Sequence, residues 1–113
     1  MTTAADVVSA LADFEFHYSD EDMLQEGIAA ALTARGFEVC REVRLNSRDR
    51  IDLVVERIGI EVKIAGGAPS VRRQCDRYLK SEAIDEVILV STRPRHAVVA
   101  TPGVTVLTLL TPW

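Results

Sequence analysis

The spacing of apolar residues divides the chain into helical and extended segments. Apolar positions three and four residues apart predict helices over 3–12, between Asp20 and Gly36, and over 70–81, with one or two helical turns over 94–100. Alternating or short continuous apolar runs predict strands over 37–45, 51–55, 60–64, 87–90 and 104–110. The chain is therefore expected to begin with helices and to continue as a mixture of strands and helices.

Signals at the segment ends agree with this division. Ser19-Asp20-Glu21-Asp22 supplies a capping residue and acids in the first helical turn, where the helix dipole favours them, and Gly36 supplies a C-terminal cap. A hairpin followed by helix–strand crossovers predicts an α/β fold in which helices flank a mixed β-sheet. The apolar strand 87–90 is expected inside that sheet and parallel to a neighbour.

Length and composition limit the chain to one domain. It has 113 residues, of which 48% are hydrophobic and 27% charged, so a single core is expected and a mainly disordered chain is excluded. There is no uncharged apolar run of about 18 residues, and the acidic N-terminus does not resemble a signal peptide. Cys40 and Cys75 lack metal-ligand spacing and are interpreted as free thiols, so a cytoplasmic location is expected.

Charge is distributed unevenly along the chain. The net charge is −4, but residues 1–34 hold seven acids and no Lys or Arg, whereas residues 35–113 hold all 13 basic residues and ten acids. Residues 1–19 are interpreted as a short acidic helical extension of the single domain 1–113. Such asymmetry favours one side that faces a polyanion, although a solvated acidic helix face explains the first segment as well.

Three ionisable residues stand where apolar residues are expected in strands. Asp52 interrupts the apolar run 51–55, and Glu61 and Lys63 share one face of the next strand because side chains alternate along a strand. A hairpin turn at 57–58, or one across 56–59, places Asp52 opposite Lys63. We therefore predict that Asp52, Glu61 and Lys63 converge on one sheet face, and an odd-length loop without a bulge would separate them.

Two carboxylates beside an ammonium are typical of a site for a hard metal ion. Asp52, Glu61 and the backbone carbonyl of Val62 supply three oxygens, which suits Mg²⁺ or Mn²⁺ beside a substrate phosphate. Lys63 would orient or help to deprotonate the attacking water and offset charge on the phosphate. The structural alternatives are a solvated Glu61–Lys63 ion pair and an Asp52 that accepts from a nearby backbone N–H.

This arrangement resembles the motif of the PD-(D/E)XK nuclease superfamily. The first half is Arg50-Ile51-Asp52-Leu53-Val54-Val55, with Ile51 in place of the family's usual Pro, and the second half is Ile60-Glu61-Val62-Lys63. The resemblance covers about residues 20–92. It implies a restriction-endonuclease-like core, with elements in the order α-β-β-β-α-β.

The resemblance also assigns roles to residues on two helices. Glu26 matches the helix Glu of the family, which extends the metal site or holds a water there; its structural alternative is a helix acid stabilised by the dipole. Gln74 and Tyr78 match the Gln-x-x-x-Tyr element of RecB-type and Holliday-junction-resolving members, and their spacing places both on one helix face. They would orient the Lys63 region or contact the DNA backbone, and Tyr78 suits core packing equally well.

Arginines around the motif are candidates for contacts to phosphates. Those that precede Asp52 include Arg44, Arg48 and Arg50, and those on the helix over 70–81 are Arg72, Arg73 and Arg77. A solvated helix face is the alternative for the second group. Arg93 and Arg95 follow a strand end, where ligand-facing loops are common, and His96 is interpreted as a surface histidine.

Together these features predict a Mg²⁺-dependent deoxyribonuclease that hydrolyses DNA phosphodiesters and acts as a homodimer. No module that reads DNA sequence is recognisable, which favours structure-selective cutting in recombination, repair or phage genome processing. Two alternatives stay open. One is a nucleic-acid-binding or assembly module on the same fold without turnover, and the other is a restriction or RNA-processing endonuclease.

Overall fold

Helices cover both faces of a five-stranded mixed sheet in the computed structural model, which describes residues 1–109. The helices are α1 (Ala4–Ala12), α2 (Glu21–Ala34) and α3 (Ala68–Leu79), and a 3₁₀ helix, η1, spans Pro94–Val99. The strands are β1 (Cys40–Arg44), β2 (Arg50–Val55), β3 (Ile58–Lys63), β4 (Glu86–Ser91) and β5 (Val104–Thr108). The predicted α/β class, with helices flanking a mixed sheet, is confirmed.

Local sequence signals set the ends of the helices. The Asp20 carboxylate accepts a hydrogen bond from the Met23 N–H at 2.8 Å and caps α2, as predicted. Gly36 ends that helix in the left-handed region, at φ 90°. α3 begins at Ala68, two residues before the predicted start, because Pro69 suits the first turn of a helix.

The strand order in the sheet is β1-β2-β3-β4-β5. The β1–β2 and β2–β3 pairs are antiparallel, whereas β3–β4 and β4–β5 are parallel, so β4 lies inside the sheet with parallel neighbours, as predicted. One edge therefore collects the C-terminal ends of β1, β3, β4 and β5 and the N-terminal end of β2. We call it the site edge, and its strand-end residues are Arg44, Arg50, Lys63, Ser91 and Thr108.

Two apolar clusters attach the helices to the sheet. On one face, α1 and α2 pack against β2, β3 and β4, with Leu11, Ile28 and Ile60 fully or almost fully buried. On the other face, α3 and η1 pack against β4 and β5, with Cys75 and Tyr78 fully buried. Within residues 1–109, no helix combines the length and apolar character needed to cross a membrane. Leu110, which the predicted last strand included, lies outside the described residues.

The turn between β2 and β3 differs from both predicted turns. The observed ladder pairs are Leu53 with Ile60, Val54 with Gly59 and Val55 with Ile58. The turn therefore consists of Glu56 and Arg57, and Glu56 adopts the left-handed region at φ 54°. The prediction that Asp52 faces Lys63 is wrong by two residues, but an even shift keeps side chains on their faces.

Strand pairing is interrupted at Asp52. Ile51 packs in the α3-side cluster, whereas Leu53 packs in the cluster on the α1–α2 side, although residues two apart normally share a face. The β1–β2 ladder also skips Asp52 and Glu42, and Glu42 has a φ of 51°. This is a bulge-like distortion in neighbouring strands, of the kind that re-aims a side chain.

Candidate active site

Asp52, Glu61 and Lys63 meet at the site edge. Lys63 Nζ lies 3.2 Å from Glu61 Oε2, and the side chains of these residues are 21% and 3% exposed, respectively. Asp52 is partly buried beside them, on the strand next to theirs. The structure therefore brings together the three side chains that the sequence predicted to converge, in surroundings that screen charge poorly.

Asp52 is held by the backbone of the neighbouring strand. Its Oδ2 accepts a hydrogen bond from the Val62 N–H at 2.8 Å. This is the contact that the structural alternative expected, and it also brings the carboxylate next to Glu61. Burial raises the pKa of Asp52 and the negative charge of Glu21 adds to this rise, whereas the Val62 N–H and the Lys63 ammonium oppose it.

Glu61 carries the most perturbed carboxylate of this group. Burial, followed by the negative charge of Asp52, raises the pKa of Glu61 to about 7, although Lys63 and Tyr78 favour its ionised form. Both carboxylate oxygens have partners, since Oε1 lies 3.1 Å from Tyr78 Oη and Oε2 faces Lys63. Such a group takes up a proton or a cation near neutral pH.

Tyr78 reaches the site from α3. Its side chain is fully buried, and its Oη lies 3.1 Å from Glu61 Oε1 and 3.3 Å from the Arg50 carbonyl oxygen. Burial, with the negative charge of Glu61, raises the pKa of Tyr78, which keeps the hydroxyl protonated as a donor. Gln74 lies on the same helix face but is only partly buried, and its side chain makes no hydrogen bond within residues 1–109.

Helix α2 brings Glu21 to the site, where the sequence interpretation placed Glu26. Glu21 Oε1 accepts a hydrogen bond from the Ile64 N–H at 3.3 Å, and its charge acts on Asp52. Glu26 is exposed and contacts none of the three site residues through a hydrogen bond or an ion pair. The placement of Glu26 at the site is therefore wrong, because 26 falls off the helix stripe that faces the sheet.

A signal for Glu21 was present in the sequence. Glu21 precedes the buried residues Leu24 and Ile28 by three and seven positions, which places it on their stripe. Capping accounts for Asp20 in the acidic run Asp20-Glu21-Asp22, but it does not account for the contact that Glu21 makes.

The interpretation of His96 as a surface histidine is wrong. The imidazole is fully buried, with Nδ1 2.6 Å from Ser91 Oγ and Nε2 2.8 Å from the Gly66 carbonyl oxygen. It lies in the first turn of η1, which packs against α3 and closes over the end of β4. Neither its place nor its partners could be read from a sequence pattern, because both depend on the loop after β4.

The predicted DNA-binding arginines divide into two groups. Arg44 reaches the carbonyls of its own hairpin loop at 3.4 Å, Arg77 pairs with the buried Asp49 at 3.1 Å, and Arg72 contacts the Val98 carbonyl. Arg48, Arg50 and Arg73 are exposed and make no side-chain hydrogen bond or ion pair within residues 1–109. The second group is therefore available to a ligand without breaking an internal contact.

Charge separates the two helical layers. The layer of α1 and α2 comes from the part of the chain that holds seven acids and no Lys or Arg before Arg35. The opposite layer carries Arg72, Arg73, Arg77 and one acid, Asp76, on α3, with Lys80 directly after this helix, Arg93 directly before η1 and Arg95 within η1. The α3 side therefore carries an excess of basic residues and the α1–α2 side an excess of acids.

Asp52 and Glu61 suit a hard metal ion by their chemistry. Both are carboxylates, and they lie side by side. Burial raises the pKa of each group, and a bound cation would favour the ionised form and so oppose this rise. Among the described residues there is no group of three or more His, Cys, Asp or Glu side chains placed to hold a metal ion.

Comparison with known proteins adds no relative. No protein-family model, curated protein or solved structure matches the chain. The residues and the geometry described above are therefore the basis for a function.

Proposed function

We propose that the chain is a divalent-metal-dependent deoxyribonuclease on a restriction-endonuclease-like core. The observation that carries this proposal is the pairing of a partly buried carboxylate, Asp52, and a buried one, Glu61, with Lys63 Nζ 3.2 Å from Glu61 at the site edge. Buried like charges are costly to maintain in a fold and are typical of sites that use them.

The order of elements supports this assignment. From α2 to β4 the chain runs α-β-β-β-α-β, which is the order of the PD-(D/E)XK superfamily. Asp52 lies on the second of these strands, Glu61 and Lys63 lie on the third, and Tyr78 lies on the helix that follows. Four of the residues that carry the sequence resemblance, Asp52, Glu61, Lys63 and Tyr78, are therefore neighbours in space, whereas Glu26 is not among them.

The residues that would hold Mg²⁺ or Mn²⁺ are Asp52, Glu61 and the backbone carbonyl of Val62. When bound, the ion supplies Lewis acidity and positive charge beside the phosphate. Tyr78 keeps Glu61 oriented by its hydrogen bond, and α3 shields that carboxylate from bulk water. Glu21, rather than Glu26, is the acid of α2 that adds negative charge next to Asp52.

Lys63 has a separate part in the proposed reaction. Its ammonium is partly exposed, so it is accessible to substrate while it stays close to Glu61. It donates hydrogen bonds to the attacking water and to a phosphate oxygen and offsets the negative charge that develops on phosphorus. A lysine beside two carboxylates therefore suits phosphodiester hydrolysis, because this reaction is accelerated by positioning the attacking water and by stabilising negative charge on the phosphate.

The DNA is proposed to lie along the site edge. The β1–β2 hairpin places Arg48 and Arg50 on one flank of the three site residues, and the loop after β4 places Arg93 and Arg95 on the other. β2 and β4 are two strand intervals apart, and adjacent strands are about 4.8 Å apart, so the two flanks are separated by roughly 10 Å. Arginines on both flanks contact phosphates on either side of the reacting bond.

A second candidate is a DNA-binding module without turnover. It is favoured by the observation that both oxygens of Glu61 already have protein partners, Tyr78 and Lys63. The two candidates differ in one outcome: both predict DNA binding at the site edge, but only the nuclease cuts a phosphodiester bond when Mg²⁺ or Mn²⁺ is added. Restriction and RNA-processing activity are distinguished from the first candidate by the substrate that is cut.

The test is cleavage of a panel of end-labelled substrates by the purified chain. The panel contains linear duplex, single strand, flap, four-way junction and an RNA strand, each with Mg²⁺, Mn²⁺ or a chelator. We expect metal-dependent cutting that is strongest on a branched or single-stranded DNA. Binding of these DNAs without cutting under any of the metal conditions would exclude the nuclease and support the binding module.

The homodimer stays a prediction. Light scattering after size-exclusion chromatography, with and without the preferred DNA, measures the mass of the particle directly. A dimer on DNA would place two site edges on one substrate and lead to paired cuts, whereas a monomer would give single-strand nicks.

A further inference from the structure

A buried imidazole lies behind the proposed site without touching Asp52, Glu61 or Lys63 through a hydrogen bond. His96 has no exposed surface, and its two ring nitrogens are bonded to Ser91 Oγ at 2.6 Å and to the Gly66 carbonyl oxygen at 2.8 Å. A carbonyl can only accept, so Nε2 is the donor to Gly66. In the neutral imidazole Nδ1 then accepts from the Ser91 hydroxyl.

The partners of His96 lie on either side of Lys63. Ser91 is the residue of β4 that pairs with Lys63 across the parallel ladder, and it is fully buried. Gly66 lies three residues after Lys63, in the left-handed region at φ 101°. His96 therefore links the strand beside Lys63 to the loop that follows Lys63.

Other contacts fasten the same short segment to the loop after β4. Arg93 Nε donates to the Ile64 carbonyl oxygen at 2.7 Å, and Arg95 Nε donates to the Gly66 carbonyl oxygen at 3.1 Å. The Thr92 N–H donates to the Lys63 carbonyl oxygen at 3.1 Å. Of the side chains that make these contacts, only that of His96 has no exposed surface; its bond to Ser91 is buried and its bond to Gly66 is partly buried, so water competes least with the Ser91 bond.

We propose that His96 is a positioning residue, which fixes Lys63 against Glu61 by tying the segment 64–66 to the end of β4. The backbone beside Lys63 and the backbone after it are then held in place. Only the rotamers of the Lys63 side chain remain to be ordered when DNA binds. The catalytic part of this inference rests on the nuclease function proposed above. The structural part, the fixing of residues 63–66, does not.

The first arm of the test is kinetic. In His96→Leu both hydrogen bonds are lost, and we expect kcat to fall about 10- to 100-fold, because a misplaced catalytic group costs rate. KM for DNA is expected to stay within about twofold, since the DNA-contacting arginines are not changed. His96→Gln retains an N–H donor that reaches Gly66 and is expected to recover most of kcat. His17→Gln, at the exposed second histidine, is the matched control.

The second arm does not need nuclease activity. Amide hydrogen exchange is followed at Ile64, whose N–H donates to Glu21, and at Thr92, whose N–H donates to Lys63. In His96→Leu both amides are expected to exchange at least about tenfold faster than in the native chain. The Asp85 amide, which donates to the Arg57 carbonyl oxygen beside the β2–β3 turn at the other end of the sheet, is the internal reference and is expected not to change.

A surface variant covers the case in which His96→Leu does not fold. Arg93→Ala removes the contact to the Ile64 carbonyl from the solvent side and leaves the core intact. We expect it to accelerate exchange at Ile64, a readout that does not depend on the phosphate contact proposed for Arg93. Arg57→Ala, at an exposed arginine of the β2–β3 turn that makes its contacts at the other end of the sheet, is its charge-matched control.

Each outcome bears on one claim. Unchanged exchange at Ile64 and Thr92 in folded His96→Leu, or in Arg93→Ala when His96→Leu does not fold, would overturn the positioning role. A loss expressed only in KM, or no rescue by His96→Gln, would also overturn it. Failure of the native chain to cut any DNA would remove the proposed nuclease function, and the exchange arm would still decide whether His96 holds the Lys63 segment.

Discussion

The carboxylate of Asp52 accepts a hydrogen bond from the backbone N–H of Val62 at 2.8 Å. The last backbone pair of the β2–β3 ladder on this side is Leu53 with Ile60, next to Asp52 and Glu61. Beyond that pair, the Asp52 side chain rather than its backbone bonds to β3. The same contact places a negative charge beside Glu61. Fold and proposed chemistry are thus joined in a single residue, and substitutions at this position separate the two contributions.

Asp52→Asn and Asp52→Ala are expected to differ in stability but not in activity. The Asn amide oxygen can still accept from Val62, whereas Ala leaves that buried N–H without a partner, which costs about 1–3 kcal/mol. The free energy of unfolding, measured by urea denaturation, should therefore be lower for Ala than for Asn by that amount. Both variants should lose DNA cleavage. Equal stabilities of Asn and Ala would show that the contact does not support the fold.

The stability of the chain is expected to depend on the protonation of Glu61. Its pKa is about 7 in the fold against an ordinary value of 4.5, so the folded state binds more protons than the unfolded state between these values. The stabilisation is complete below pH 4.5 and is lost as pH rises through about 7, with a magnitude of up to about 3 kcal/mol.

Glu61→Gln isolates this effect from the other titrating groups. Denaturation curves are recorded for the native chain and for the variant from about pH 5 to pH 8, and the difference in unfolding free energy is plotted against pH. The native chain should lose stability relative to Glu61→Gln as pH rises, and Mg²⁺ should return part of it at pH 8 in the native chain only. A flat difference would mean that Glu61 is ionised throughout.

Tyr78→Phe is expected to weaken both the fold and the site. The variant removes the hydroxyl that lies 3.1 Å from Glu61 and 3.3 Å from the Arg50 carbonyl oxygen, at a cost of about 1–2 kcal/mol in unfolding free energy. Activity should fall but not vanish, because the two carboxylates and Lys63 remain. Tyr18→Phe, at the second tyrosine, which is partly buried and makes no side-chain hydrogen bond within residues 1–109, is the control for a lost hydroxyl and should leave cleavage unchanged.

A pair of isosteric variants identifies which acid of α2 contributes to the proposed metal site. Glu21→Gln removes a negative charge that acts on Asp52 while keeping an oxygen for the Ile64 N–H, so the Mg²⁺ concentration for half-maximal cleavage should rise severalfold. Glu26→Gln, at an exposed position on the same helix, should behave like the native chain. The reverse result would return Glu26 to the site and contradict the placement of α2.

Much of the fold follows from patterns that act over short distances. Alternation and helical periodicity depend on a few neighbouring residues, so they located the strand at 87–90 and the cap at Asp20. The hairpin turn is more difficult to predict, because Glu56 adopts the left-handed conformation there, and this conformation is usually signalled by a glycine or an asparagine. The convergence of Asp52 and Glu61 was nevertheless predictable, since both predicted turns and the observed one preserve the faces of the strands.

Other parts of the site depend on contacts between distant segments. Glu21 joins the site because α2 crosses the sheet with the stripe of Leu24 and Ile28 inward, and its carboxylate then reaches Ile64, 43 residues away in sequence. His96 is buried because η1 folds against α3. The burial of His96 has no local sequence signature, whereas the apolar stripe of α2 is sufficient to prefer Glu21 over Glu26.

The central claim is that Asp52, Glu61 and Lys63 form one metal-dependent phosphodiesterase site. It is tested most directly by single-turnover cleavage of the preferred labelled DNA by the native chain and by Lys63→Met, with Mg²⁺ and with a chelator, beside measured DNA binding. We predict cutting by the native chain only with metal, a loss of about 100-fold or more in Lys63→Met, and nearly unchanged binding. Equal cutting by both proteins, or cutting that survives the chelator, would contradict the account.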